Sequence, residues 1–166
     1  AWEQFLLRAA RPVKAQPVRA GGRRGEKDPA VTATSRTVIW SGHNFELVFD
    51  KALGTLSGWR HDGRHVIERG PCFNFWRAPT SNDGKGIGRR AQQEWREHGL
   101  HAMISRLDDF KLVRRRGALP ELVVSLRIGG PIVRCGIEAE CRYVVDAVGC
   151  LWLSISGRPV GEWQCT

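Results

Sequence analysis

Four carboxylates fall in close pairs along this chain, Asp108 beside Asp109 and Glu138 two residues before Glu140. Two carboxyl groups flanking a scissile bond work as acid and base, or as acid and nucleophile, when they stand about 5–5.5 Å or about 6.5–9.5 Å apart. Neighbours on a strand point to opposite faces, which argues against Asp108 with Asp109. Glu138 and Glu140 share a face, but Glu138-Ala139-Glu140 alternates like a solvated sheet surface. His61 and His65 straddle a turn beside Arg60 and Arg64, and that local positive charge repels a metal ion. His98 and His101 fall at a helix end, where a cationic imidazole complements the helix dipole. Gly84-Lys85-Gly86-Ile87-Gly88 precedes that helix but lacks the Gly-x4-Gly-Lys-Ser/Thr spacing of a phosphate loop and reads as an ordinary loop. No serine sits in a Gly-x-Ser-x-Gly elbow. The sequence therefore assigns no catalytic, cofactor-binding or metal-ligating residue.

Cys72, Cys135, Cys141, Cys150 and Cys165 are odd in number and have no Cys-x2-Cys spacing, so reduced, mostly buried thiols are expected. The seven tryptophans could stack on sugar rings. Trp40, Trp59, Trp76 and Trp152 fall in expected strands and Trp95 on the helix, all positions that suit a core. Trp59 and Trp76 are the two to watch as exposed platforms.

The elements that would position these groups follow from composition and pattern. At 166 residues the chain can bury a substantial core, and its longest apolar runs fall far short of the ~20 residues that span a bilayer. The net charge of +9 is unevenly spread, with eight Lys or Arg against three acids within residues 1–36. Gly21-Gly22, Gly25, Pro12, Pro17 and Pro29 lie there too, the composition of a solvated linker, and no nucleic-acid partner is expected. Without an initiator Met or an apolar leader, the chain is expected to begin inside a longer one.

From Thr37 the pattern turns to strands. Val38 to Trp40, Phe45 to Phe49, Thr55 to His61 and Arg64 to Glu68 form a meander, with Asp62-Gly63 as its tight turn. Phe73 to Trp76 reads as a further strand ended by Pro79. Arg89 to His98 is the one helix, with Ile87, Ala91 and Trp95 in a stripe and Gly99 as its stop. Met103 to Ser105, Asp109 to Arg115, Leu122 to Arg127, Ile132 to Val145 and Leu151 to Ser156 are expected strands. Many strands, short turns and one short helix predict an all-β, antiparallel β-sandwich.

Between the meander and the helix, every residue from Arg77 to Asp83 either breaks the backbone or can hydrogen-bond its own main chain, so a fixed loop is expected, with Arg77 and Asp83 as partners across it. Asn74-Phe75-Trp76-Arg77-Ala78-Pro79-Thr80, followed by Asn82-Asp83, resembles the signature that opens the last domain of family 2 β-galactosidases, large multidomain glycoside hydrolases. Trp2-Glu3-Gln4-Phe5 resembles the end of the preceding immunoglobulin-like domain, Phe49-Asp50-Lys51 through Leu56 a first hairpin, and Trp95-Arg96 through Leu100 the following helix. The resemblance runs from Trp2 to about Ser156, and Gly157 to Thr166 departs from it.

That resemblance implies three segments: residues 1–18 as the end of an immunoglobulin-like β domain, 19–36 as a linker, and 37–166 as the N-terminal part of the last domain, half of a galactose-mutarotase-like supersandwich. It implies a cytoplasmic, homo-oligomeric parent enzyme that cleaves terminal β-galactosides such as lactose with two glutamates and Mg2+, and Na+ as a further candidate ion. Those glutamates belong to a barrel that precedes residue 1, and no position here matches their motifs. Asn74, Trp76, Arg77, Pro79, Asn82 and Asp83 are then structural residues of a segment that packs against the remaining domains and walls the active site. A stand-alone carbohydrate-binding β-sandwich is the alternative.

Overall fold

The computed structural model describes residues 27–80, 83, 91–131 and 134–163. The expected contributions of Trp2 to Leu7, the basic stretch to residue 26, Asn82, the glycine-rich Gly84 to Gly88 run and Cys165 lie outside the described residues.

Two antiparallel sheets carry the fold. The first has five strands in sequential order, β1 (Ala30–Ala33), β2 (Thr37–Ser41), β3 (Phe45–Asp50), β4 (Thr55–His61) and β5 (Arg64–Ile67). The helix α1 (Ala91–Glu97) and a single 3-10 turn (Leu100–Ala102) then lead into the second sheet. Its four strands are also in sequential order, β6 (Ile104–Val113), β7 (Glu121–Gly129), β8 (Cys135–Val145) and β9 (Leu151–Gly161).

Period-two alternation is what makes these strands pack. Phe45, Leu47 and Phe49 on β3 are buried while Glu46 is exposed, and Leu122, Val124, Leu126 and Ile128 on β7 are buried while Arg127 is exposed. Ala139, Cys141, Tyr143 and Val145 line the inner face of β8. The two inner faces meet in one core cluster, the arrangement of a β-sandwich. At its centre the Phe49 ring stands edge-on to Trp40 at 5.2 Å within its own sheet and to Tyr143 at 5.1 Å in the other. Burial pushes the Tyr143 phenol and the Cys141 thiol above their ordinary values.

Several expectations change. The segment assigned to the linker, residues 19–36, contains strand β1, paired with β2 through Val31 opposite Trp40. Phe73 to Trp76 is not a strand. The Asn74 side chain accepts the Trp76 N–H at 3.0 Å, so that donor is diverted from any ladder. The two strands expected within residues 103–115 are one, β6, with a bulge at Asp108 that absorbs the irregularity. The chain beyond Ser156 does not depart from the sheet, because Gly157 to Gly161 continues β9 in register with Cys135 to Ala139. The turns are as expected: Asp62 and Gly63 have φ of 48° and 72°, the signs of a type I′ hairpin, and Gly99 ends the helix at φ 69°.

Candidate functional site

The segment from Gly70 to Asp83 crosses from the first sheet to the helix, and its side chains are fixed by one another. Arg77 donates two parallel hydrogen bonds to Asp83, Nη1 to Oδ2 at 2.7 Å and Nη2 to Oδ1 at 2.8 Å. This fork-to-fork pair is the strongest geometry available to a guanidinium and a carboxylate. Asp83 Oδ2 also accepts the Thr80 N–H at 2.6 Å and the Thr80 hydroxyl at 2.8 Å, and the Asp83 N–H returns a bond to the Thr80 carbonyl at 3.1 Å. Arg77 further donates to the carbonyl of Ala78 at 3.2 Å. Pro79 interrupts any strand pairing, and the reciprocal bonds between Thr80 and Asp83 close the chain into a turn in which Asp83 is already helical.

An aromatic box supports this clamp from below. The Arg77 guanidinium lies 4.8 Å from the Trp95 ring centroid, and Trp95 meets Trp76 edge-on at 6.2 Å. Arg96 covers Trp76 at 5.5 Å, and His101 meets the same indole at 5.7 Å. Two cations stacked on two indoles fix the helix to the loop. The sequence paired Arg77 with Asp83 but not with Trp95. One helical turn connects Trp95 to His98, which sits over the Trp163 ring at 5.4 Å and so joins the helix to the end of β9.

The side chain of Asp83 is only 12% exposed. The Arg77 hydrogen bonds, followed by the Thr80 N–H, hold its carboxyl well below the usual carboxylate range. A depressed folded value means the loop's stabilisation is complete above the unfolded carboxylate value of about 4 and is lost as pH falls from there toward the folded value. Trp76 and Trp95 fluorescence should therefore change in acid, below about pH 4, and Asp83→Asn should remove that step while leaving the signal at pH 7 already altered. A wild-type titration identical to that of Asp83→Asn would refute the role given to Asp83.

The carboxylate pairs do not form an acid-base centre. The bulge turns Asp108 toward Arg127 at 3.6 Å, on the outer face where Asp109 pairs with Lys111. Adjacent aspartates therefore reach one face after all, each held by its own cation, and the Lys111 bond lowers the Asp109 pKa. Glu138 takes Arg158 at 2.6 Å and 2.9 Å, while Glu140 takes Arg142 at 2.8 Å, with Arg142 also reaching Glu121 at 3.2 Å. Asp108, Glu138 and Glu140 line an open groove of about 730 Å3, but each is held in an ion pair on the outer face of the sheet.

The histidines of the hairpin pair locally. His65 Nε2 accepts from Arg60 Nε at 3.1 Å, and His61 lies 3.3 Å from Asp62. Among the described residues no group of three or more His, Cys, Asp or Glu is placed to hold a metal ion. Cys72, Cys135, Cys141 and Cys150 are free thiols, but Cys72 and Cys150 are exposed rather than buried. Trp59 packs half-buried against the core, and Trp76 is half-buried in the aromatic box. Among the described residues the exposed indole is Trp152, at 54%. An apolar cleft of about 370 Å3 opens between Phe73 and Phe75 on one side and Ile137, Ile155, Pro159 and Trp163 on the other. No helix among the described residues is long and apolar enough to cross a membrane.

Residues 41–163 match the model of the family described as beta galactosidase small chain. The match runs past Ser156, in keeping with the unbroken course of β9. A β-galactosidase of Priestia megaterium (strain DSM 319 / IMG 1521) is 33% identical over 113 residues, which is 64% of this chain and 10% of that protein. One from Lactobacillus delbrueckii subsp. bulgaricus is 32% identical over 100 residues, covering 54% of this chain and 10% of its own length. One from Psychromonas ingrahamii reaches 49% identity over 43 residues, 26% of this chain and 4% of that protein. The chain thus spans about 10% of the length of the longer-matched relatives. With the family model covering most of the chain, and the closed loop, the strands from β3 onward and the helix lying inside the matched span, the chain belongs to the β-galactosidase small-chain family.

Proposed function

We propose that this chain serves as a structural part of a β-galactosidase, an enzyme that releases terminal non-reducing β-D-galactose from β-galactosides such as lactose. The observation that carries the reading is the closed Arg77–Asp83–Thr80 clamp within a chain of this family. A loop held by a forked ion pair and two cation-indole stacks is suited to bracing a neighbouring surface, and in this reading that surface is the wall of the active site. The catalytic glutamates lie elsewhere in the parent enzyme, which is cytoplasmic and homo-oligomeric. The ion-paired carboxylates here support that division of labour. In this reading Mg2+, with Na+ as a further candidate ion, is held by other segments of the parent enzyme.

The test is Arg77→Ala in the complete enzyme, with Arg77→Lys beside it. Displacing a wall by about 1 Å can cost on the order of a hundredfold in rate, so kcat/KM should fall by roughly ten- to a hundredfold. Lysine keeps the charge but not the fork, so it should restore little. Unchanged turnover and melting temperature in Arg77→Ala would overturn the reading, as would β-galactoside hydrolysis by this segment alone.

A further inference from the structure

Trp163 sits just past β9, and the turn that follows the strand fixes where its indole lies. Gly161 has φ 83°, and a Cβ on it would overlap the Arg134 carbonyl oxygen, so the chain can leave the strand this closely only through a glycine. The Glu162 N–H then donates to that carbonyl at 3.3 Å. Trp163 Nε1 donates to the Val160 carbonyl at 3.1 Å, which folds the indole back along the strand it has left. There it stacks on His98, with ring centroids 5.4 Å apart and planes 12° apart. His98 is fixed from its own side as well. A carbonyl only accepts, so the imidazole Nδ1 donates to that of Glu94 at 2.8 Å, and the buried Cys135 thiol of β8 donates to the His98 carbonyl at 3.7 Å.

The helix needs that anchor. α1 has seven residues, too few for a helix to persist by itself, and none of them is buried. Trp95 under the Arg77 guanidinium and Arg96 over Trp76 both ride on it. The Arg77 side chain is 56% exposed, and an exposed ion pair contributes little unless its geometry is held. We infer that Trp163 is a positioning residue for the Arg77–Asp83 clamp: by way of His98 it sets where α1 presents Trp95 and Arg96 to the loop. The same indole lines the apolar cleft opposite Phe73 and Phe75, whose rings stack 6.1 Å apart just before the clamp. Trp163 therefore stands beside the chain both before and after the loop it positions.

Hydrogen exchange in the complete protein tests this. Trp163→Ala should speed exchange of the Thr80 and Asp83 amides, which bond across the loop, roughly tenfold. The amides of the central strands β7 and β8 should keep their protection and report a folded domain. Trp163→Phe retains a flat ring for His98 and should restore most of the loss. Combined with Arg77→Ala, which opens the clamp directly, Trp163→Ala should add less than its own factor. Factors that simply multiply, unchanged loop exchange in Trp163→Ala, or protection lost throughout β7 and β8 would each overturn the inference. A parallel fall in kcat/KM for Trp163→Ala is expected as well, and this arm alone rests on the reading that the clamp braces an active-site wall. Faster loop exchange with turnover unchanged keeps the positioning role and refutes the wall, whereas unchanged exchange sinks the positioning role even where Arg77→Ala lowers turnover.

Discussion

Replacing Phe49 by alanine should destabilise the sandwich by about 3–5 kcal/mol, the range for emptying a fully buried aromatic site. Phe49 is fully buried and is the ring that touches Trp40 in its own sheet and Tyr143 in the other, so its loss opens the seam between the sheets. The surroundings can collapse little, because the strands on both sides are held by their ladders. Domains of this size are stable by only about 5–15 kcal/mol, so one substitution removes a large share. Urea unfolding followed by tryptophan fluorescence checks this, with Phe49→Leu as a milder variant that refills most of the volume. A cost below about 1 kcal/mol for the alanine variant would mean that the two inner faces do not depend on this contact.

Four of the five strands of the first sheet were legible in the sequence, the exception being β1, whose residues read as linker. Its strands carry strict alternation, as in Phe45, Leu47 and Phe49, and its turn at Asp62-Gly63 has a chemistry that admits one hairpin type. The second sheet was legible as strands but not as continuous ones. Asp108-Asp109 looks like a break in pattern, whereas a bulge lets one strand run through it. A bulge inserts a residue without changing composition, so the period alone cannot reveal it.

Within the candidate site the short-range part was readable. Arg77 and Asp83 bracket a run of turn-forming residues, and opposite charges at that separation across a closed loop have few other partners. The aromatic box was not readable, because Trp76 meets Trp95 and His101 only after the helix has folded back, and no local spacing encodes that approach. The Phe73 to Trp76 error has the same source in reverse. Three aromatic residues of high strand propensity lose their ladder to the oxygen of the asparagine among them, and propensity gives way to a specific hydrogen bond. Trp152 read as a core position, but β9 carries it on the outer face of its sheet, opposite Val144, and which face a short run of alternating residues turns inward depends on its pairing with β8.

Gly54→Val should cost about 2–5 kcal/mol, adding two penalties that a single residue rarely combines. Gly54 closes the turn from β3 to β4, donating to the Asp50 carbonyl at 2.9 Å while Asp50 Oδ1 takes the Ala52 and Leu53 N–H groups at 2.7 Å and 3.0 Å. Its φ is 63°, a left-handed conformation that costs a residue with a Cβ about 1–2 kcal/mol and a β-branched one more. The same atom meets the opposite sheet: a Cβ there would lie 2.7 Å from Leu107 Cδ1 and 2.8 Å from Val124 Cγ1. The turn thus seats the first sheet on the second, and a side chain at Gly54 would wedge them apart. Gly63→Ala separates the two terms, since its φ is 72° but nothing lies within 4 Å of the added carbon. It should show the conformational cost alone, about 1 kcal/mol. Adding Leu107→Ala to Gly54→Ala relieves part of the crowding, so the pair should be less destabilised than the sum of its single variants. Simple additivity, or a Gly54→Val variant that melts with the wild type, would show that this turn does not fix the distance between the sheets.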